Sequence, residues 1–266
     1  MADPNAAQTA ELTSDDGLRI AYHRYGTAQP TADRPLVVLH HGFVADTNLN
    51  WKLPGIVDAL VADGRAVVGI DARGHGQSEK PHDPALYGET RMAADVLRLA
   101  TTLDADTYDL VGYSMGAIVS LLVAAQDPRV RRLVIGGVGA GVAELGGVDT
   151  RQLPNIALAE ALEATDPSSI TNPAALAFRQ FADGTGADRL ALAAQARAVH
   201  ASPIALDRIT APTLLLVGAD DPLAQRPHVL TAAIPDATHQ VVAGDHLGAL
   251  RDPTFTTALV AFLAHP

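Results

Sequence analysis

Short apolar runs recur along this chain, each too short for a helix and each followed by a stretch with helical spacing. PLVVLHHGF starts at Pro35, AVVGID at Ala66, a strand-like run covers Tyr108 to Val111, and RLVIG starts at Arg132. TLLLVG follows Ala211-Pro212, and HQVVAG starts at His239. Helical patterns lie between them: Trp51 to Ala62, ended by Asp63-Gly64; Thr90 to Leu103; Met115 to Gln126, ended by Asp127-Pro128; and Leu247 to Leu263. Arg19 to Tyr25 alternates loosely, as a partly exposed strand would. Strands apolar on both faces that alternate with helices predict an α/β fold, a mostly parallel sheet covered by helices on both sides. Such sheets bind ligands beyond the carboxyl ends of their strands.

The alternation lapses once. From about Gly136 to Asp207 no strand is expected, only helical stretches around Ile156 to Ala164, Pro173 to Phe181 and Asp188 to His200. We read residues 136–207 as a helical cap inserted into a core of residues 11–135 and 208–266. The insertion opens on GGVGAGVAELGG, whose six glycines in twelve residues suggest a hinge. A dinucleotide loop would need a third glycine at Val142 or Glu144, and neither is one. Residues 1 to about 10 read as a disordered tail.

With 266 residues, 48% of them hydrophobic, the chain can build a sizeable core without cross-links. It has no cysteine, which excludes disulfides, thiol nucleophiles and thiolate metal sites. The net charge of −11, without a basic stripe, argues against nucleic acid and anionic membranes as partners. MADPNAAQTAELTSDDG lacks the basic and apolar regions of a signal peptide, and no apolar run approaches the roughly 18 residues that span a bilayer. A cytoplasmic protein is expected; the oligomeric state is left open.

Within DLVGYSMGAIVS, Ser114 sits between Gly112 and Gly116 at a strand-to-helix junction. A very tight turn there would bring the residues two before and two after the serine close together, where side chains collide. It would also lift the hydroxyl clear of the backbone, the geometry of a nucleophile elbow. A serine hydroxyl needs a base, and the base an orienting acid. Of ten histidines, His23, His82, His200, His228 and His265 fall on segments that read as solvated, and His239 starts a strand. His246, in AGDHLGAL, follows the last strand on the sheet's carboxyl edge and is the expected base. LLLVGADDPLA offers two acids: Asp221 is preferred, with Asp220 the alternative. The order Ser114, Asp221, His246 is that of a known triad arrangement.

Attack on a carbonyl also needs donors for an oxyanion. The Met115 amide at the helix start is one, and the Phe43 amide after the Gly42 turn is the expected second. His40 and His41 are adjacent on a strand and point to opposite faces, so no metal site is expected; His41 is expected to brace the oxyanion loop.

HHGF, DARGHGQSEKP, GYSMG, GADDP and GDH stand in an order that resembles the α/β-hydrolase superfamily, from about residue 12 to 264. The resemblance implies an eight-stranded core with a cap after the sixth strand, and loop-holding roles for Asp71, Arg73 and His75. A serine rather than an aspartate at the elbow turns the expectation away from dehalogenases and epoxide hydrolases. Ala117 replaces a frequent glycine.

Serine members of this superfamily include carboxylesterases, lactonases, thioesterases, perhydrolases and carbon–carbon bond hydrolases. The expected function is cleavage of a small ester-like substrate, a carboxylic ester or lactone, with no cofactor and no metal. The other serine chemistries and non-catalytic ligand binding are the alternatives. Val44, Trp51, Phe178, Phe181 and Leu223 are the expected pocket lining, although the cap phenylalanines could equally pack the cap's own core. Arg151, Arg179, Arg189 and Arg197 could read a substrate carboxylate or lie on solvated helix faces.

Overall fold

The computed structural model describes residues 6–265. Eight strands form one sheet: β1 Gln8–Thr13, β2 Arg19–Tyr25, β3 Leu36–His40, β4 Val67–Ile70, β5 Tyr108–Tyr113, β6 Val130–Gly136, β7 Thr213–Gly218 and β8 Ala237–Val242. Their order across the sheet is β1-β2-β4-β3-β5-β6-β7-β8. β2 is antiparallel to both of its neighbours, and all pairs from β4 to β8 are parallel. This is the mostly parallel α/β sheet that the alternating pattern predicts.

Side chains alternate across each strand, so the sheet builds two cores. Val37, Leu39, Val111 and Tyr113 pack under helices α1 (Ile56–Ala62) and α9 (Pro253–Ala264). Val38, Ile70, Leu110 and Leu133 pack under α2 (Glu89–Thr102), α3 (Met115–Ala124) and α8 (Pro227–Ala233). The central strands β3, β4, β5 and β7 are buried along their whole length, which is why their sequences run apolar without alternation.

Between β6 and β7 lie four helices and no strand: α4 Ala140–Leu145, α5 Asn155–Glu163, α6 Pro173–Thr185 and α7 Arg189–Arg197. Leu158, Leu162, Ala182, Leu192 and Ala196 give this insertion a small core of its own, which Val44 and Leu153 join.

Several boundaries differ from the sequence reading. Gln8–Ala10, read as tail, belong to β1; the edge position leaves only Leu12 buried, so the strand carries almost no apolar signal. Residues 1–5 of that expected tail lie outside the described residues. The helix expected from Trp51 splits into a wide turn at Asn48–Lys52 and α1, because Gly55 at φ 86° breaks the path after Pro54. The last helix starts only at Pro253, after a short turn at Ala249–Arg251.

The glycine-rich stretch is not an open hinge. α4 forms inside it, and its glycines make room for neighbouring backbone. A Cβ on Gly139 would sit 2.2 Å from the Gln225 carbonyl oxygen, and one on Gly146 2.1 Å from that of Ser202.

Trp51, expected in the pocket, is fully buried in the core under α1 and α9 with Val37 and Leu39. His23, read as solvated, is buried and bonded to Asp71 at 2.9 Å.

Candidate active site

β5 ends in Tyr113 and α3 starts at Met115, so the whole reversal falls on Ser114. Its φ of 55° is a left-handed conformation that an L residue adopts only under constraint, at about 1–3 kcal/mol. The surrounding backbone supplies that constraint. The Ser114 N–H donates to the Gly136 carbonyl at 2.8 Å, and its own carbonyl accepts from Ala117 at 2.9 Å. The flanking glycines are required by crowding. A Cβ on Gly112 would lie 2.2 Å from the Gly116 carbonyl oxygen, and one on Gly116 2.1 Å from that of His40. The second clash ties the elbow to β3, the strand that leads into the HHGF turn.

Ser114 Oγ lies 3.0 Å from His246 Nε2, and His246 Nδ1 lies 2.8 Å from Asp221 Oδ2. Nδ1–H donates to the carboxylate, which leaves Nε2 to accept from the serine hydroxyl. Asp221 is fully buried, and its second oxygen accepts from the Leu223 N–H at 2.9 Å. Asp220 is exposed and takes no part in this chain of bonds. Tyr113, next to the serine, donates its hydroxyl to the His246 carbonyl at 2.6 Å, with the two rings 5.4 Å apart. The loop that carries His246 is thus fixed to the strand that leads into Ser114.

The HHGF turn passes directly over Ser114: a Cβ on Gly42 would lie 3.3 Å from the Ser114 Cβ. Among the described residues, neither the Phe43 nor the Met115 amide donates a hydrogen bond to another part of the chain. Both are free to serve an incoming oxygen. The loop itself is braced. His41 Nε2 accepts from the Ala72 N–H at 2.9 Å, so its proton is on Nδ1, which donates to the Gly42 carbonyl at 2.8 Å. Burial pushes His41 below the ordinary imidazole range, and pushes His40 and His75 down to about 3. All three rings are neutral at pH 7.

Asp71 anchors the next turn by accepting from His23, Thr47 N–H and Gln77 N–H. Burial alone would raise its carboxyl, but the His23 hydrogen bond and the nearby histidines hold it below the usual carboxylate range. Arg73 forks onto Asp95 and Asp16.

A sequence model of the α/β-hydrolase fold matches residues 35–144, from β3 through the elbow into α4. The solved structure of a hydrolase from Pseudomonas aeruginosa superposes over 98% of this chain and 100% of its own, with a TM-score of 0.75 and 27% identity. The chain has the α/β-hydrolase fold.

The sn-1-specific diacylglycerol lipase ABHD11 of Mus musculus is 29% identical over 90% of this chain and 84% of its own length. A Bacillus subtilis protein provisionally assigned as a 2-succinyl-6-hydroxy-2,4-cyclohexadiene-1-carboxylate synthase is 31% identical over 162 residues. That match covers 59% of this chain and 56% of the Bacillus protein, little more than half its length.

Two adjoining cavities open at this α/β-hydrolase site. The larger, of about 380 Å³, has His246, Leu247, Pro222 and Leu223 on one side and Phe178 and Phe181 on the other. The smaller, of about 40 Å³, reaches Ser114, Met115 and Phe43. Leu153, Phe178 and Leu223 line both. Of the expected lining residues, Phe178, Phe181 and Leu223 are therefore at the cavities.

Val44 is not. It turns away at φ 69°, a costly angle for a β-branched residue, and packs into the core of the insertion. Trp51 lies in the core on the far side of the sheet.

Three polar residues near the site carry no motif. Asn50 accepts the Gly42 N–H at 2.6 Å and so holds the turn that passes over Ser114. Glu89 and Gln195 are buried in the wall of the smaller cavity. All three have partners distant in sequence and meet them only through the fold.

The arginines of the insertion are all engaged. Arg151 pairs with Glu144 and Asp149, Arg179 and Arg189 with Asp183, and Arg197 with Glu163. Among the described residues no group of three or more His, Asp or Glu is placed to hold a metal ion, and no helix is long and apolar enough to cross a membrane.

Proposed function

We propose that this chain is a serine hydrolase that cleaves a small carboxylic ester or lactone through an acyl-enzyme on Ser114. The observation that carries the reading is the bonded series Ser114–His246–Asp221 at the mouth of an apolar cavity, beside two unengaged amides. In the first half-reaction, Ser114 Oγ attacks the carbonyl carbon as its proton passes to His246 Nε2. Asp221, bonded at Nδ1, stabilises the imidazolium that forms. The negative charge that develops on the carbonyl oxygen is taken by the Phe43 and Met115 amides, an arrangement for which one donor is worth about 10²–10³ in rate. His246 then returns the proton to the leaving alcohol as the carbon–oxygen bond breaks. Water repeats the sequence on the acyl-enzyme and frees the acid.

Two further observations narrow the substrate. Insertion arginines that might have bound a carboxylate are paired with acids, which favours a neutral substrate. The larger cavity is mostly apolar and of a size for a modest group, and residues 136–207 act as the cap that covers it. The mouse relative is named as a lipase, an ester hydrolase, which agrees with this chemistry.

Turnover of 4-nitrophenyl acetate and butyrate by the wild type and by Ser114→Ala tests the reading. The variant should fold normally and lose about three orders of magnitude or more in kcat. Near-normal turnover in Ser114→Ala would overturn the assignment.

A further inference from the structure

Apart from Ser114, the polar side chains in the wall of the smaller cavity are gathered at one place. Glu89, the first residue of α2, and Gln195, on α7, stand in its wall, 2% and 1% exposed. Gln195 is held by its Oε1, which accepts the Gly88 N–H at 3.1 Å, and its Nε2 approaches Glu89 Oε1 at 3.4 Å. Glu89 Oε2 accepts the His200 N–H at 2.7 Å. The groups that the protein brings to this carboxyl from α7 and from the segment after it are therefore all donors.

Burial raises the Glu89 carboxyl to about 7, against the smaller opposing effect of backbone N–H groups. Once protonated it carries an O–H for which no acceptor is bonded among the described residues. A buried donor left unpaired is costly. The space it faces is the cavity beside Ser114.

Which part of a substrate fills that space follows from the reaction. The leaving group must lie by His246 Nε2, and His246 is in the wall of the larger cavity. Ser114, Met115 and Phe43, which hold the acyl carbon and its oxygen, are in the wall of the smaller one. The acyl chain therefore enters the smaller cavity, whose 40 Å³ admits only a short group.

We propose that the site selects a short oxo-acyl group, whose second oxygen accepts the hydrogen bond that the Glu89 carboxylic acid donates. This rests on the hydrolase reading above and adds the identity of the acyl half. The other titratable groups nearby are His200, whose amide is bonded to Glu89 and whose ring faces Thr90 Oγ1, and His246 across the cavity. The cavity lining includes no arginine, lysine or further acid.

The test compares methyl acetoacetate with methyl 3-methylbutanoate, which has the same branching but a methyl in place of the oxo oxygen. The readout is the ratio of their kcat/KM values in wild type, Glu89→Gln and Glu89→Leu. Taking the ratio cancels any pH dependence that the two esters share, and comparing it across variants cancels the intrinsic reactivity of the esters. In the wild type the ratio should be high at pH 6 and fall as the pH rises through about 7, where Glu89 loses its proton. Glu89→Gln keeps a donor at every pH, so its ratio should stay high and flat. Glu89→Leu should lower the ratio about tenfold at pH 6 and remove its pH dependence.

A purely structural Glu89 would slow both esters together and leave the ratio alone. A wild-type ratio equal to that of Glu89→Leu across the pH range overturns the inference. So does turnover of 4-nitrophenyl acetate with no turnover of either methyl ester. Failure on all three esters overturns the hydrolase reading, and this one with it.

Discussion

The sheet side of the cavity and the insertion side are held by different forces. On the sheet side the groups proposed to react are set by backbone. Ser114 is trapped in a left-handed turn, Gly116 leaves no room for a Cβ against β3, and His246 is bonded at its ring and at its carbonyl. On the insertion side the wall is made of side chains. Phe178 and Phe181 are half-buried, and Phe178 meets the sheet side through the Phe43 ring, 6.1 Å away. Backbone constraint holds a reacting atom to a fraction of an ångström, whereas partly buried rings can turn at little cost. In the proposed reaction, chemistry therefore belongs to the first wall and selectivity to the second, and substitutions in the two should fail in different ways.

The largest contrast is between neighbouring acids on the sheet side. Asp221→Asn should lower kcat by about 10⁴ while preserving the fold, because the amide cannot hold His246 in the required tautomer. Asp220→Asn, on the exposed residue next to it, should leave kcat within about twofold. Equal losses would move the orienting role or abolish it.

Gly116→Ala attacks the same wall through its backbone. The added methyl meets the His40 carbonyl at 2.1 Å, where no side chain can give way. Loss of about 4 kcal/mol or more in chemical denaturation is expected; a mild effect would mean that β3 and the elbow are less closely joined than drawn here.

Glu89 lies where the two walls meet and sets a pH signature. Its folded value is raised from 4.5 to about 7, so its contribution to stability is complete below about 4.5 and lost as the pH rises through about 7. Across that window the wild type should lose about 3 kcal/mol relative to Glu89→Gln, whose stability lacks this dependence. Urea titrations of both proteins from pH 4.5 to 8 measure it. Asp16 and Asp71, held low by their partners, weaken both proteins equally at acid pH and drop out of the comparison. Parallel curves would mean that Glu89 is ionised in the native protein.

The smallest effects belong to the insertion. Phe178→Ala and Phe181→Ala should each cost only about 1–2 kcal/mol, since both rings are half-exposed to the cavity. Phe178 lines both cavities and Phe181 only the larger of the two, so the first variant should shift preference in both the acyl and the alcohol group, and the second in the alcohol alone. A chain-length series varied on each side of the ester separates them. Unchanged preferences with a loss of about 3–5 kcal/mol would place both rings in the insertion's own core instead.

The same division governs what the sequence revealed. The sheet and the elbow could be read because their causes are local: unbroken apolar runs, two glycines around one serine, and a histidine and an acid just past strand ends. The polar residues that tune the site could not, since their partners are distant. Gly42 and Asn50 are eight residues apart, and Glu89 and Gln195 are 106 apart. Nothing in either segment marks a polar residue as buried. Strand β1 escaped notice because an edge strand with one buried side chain has little pattern to show. The single tryptophan lies in the core rather than the pocket: the helix expected from Trp51 gives way to a wide turn at Asn48–Lys52, and its ring packs with Val37 and Leu39. In the glycine-rich stretch, freedom and crowding call for the same residue, and only the neighbouring carbonyls tell them apart.

The central claim is that Ser114 forms a covalent acyl-enzyme, and mass spectrometry of the protein treated with a fluorophosphonate tests it most directly. The account predicts one adduct per chain, mapped to the peptide that contains Ser114, with parallel loss of esterase activity and no adduct on Ser114→Ala. A chain that stays unlabelled while turning over esters, or an adduct that persists on Ser114→Ala, would contradict it.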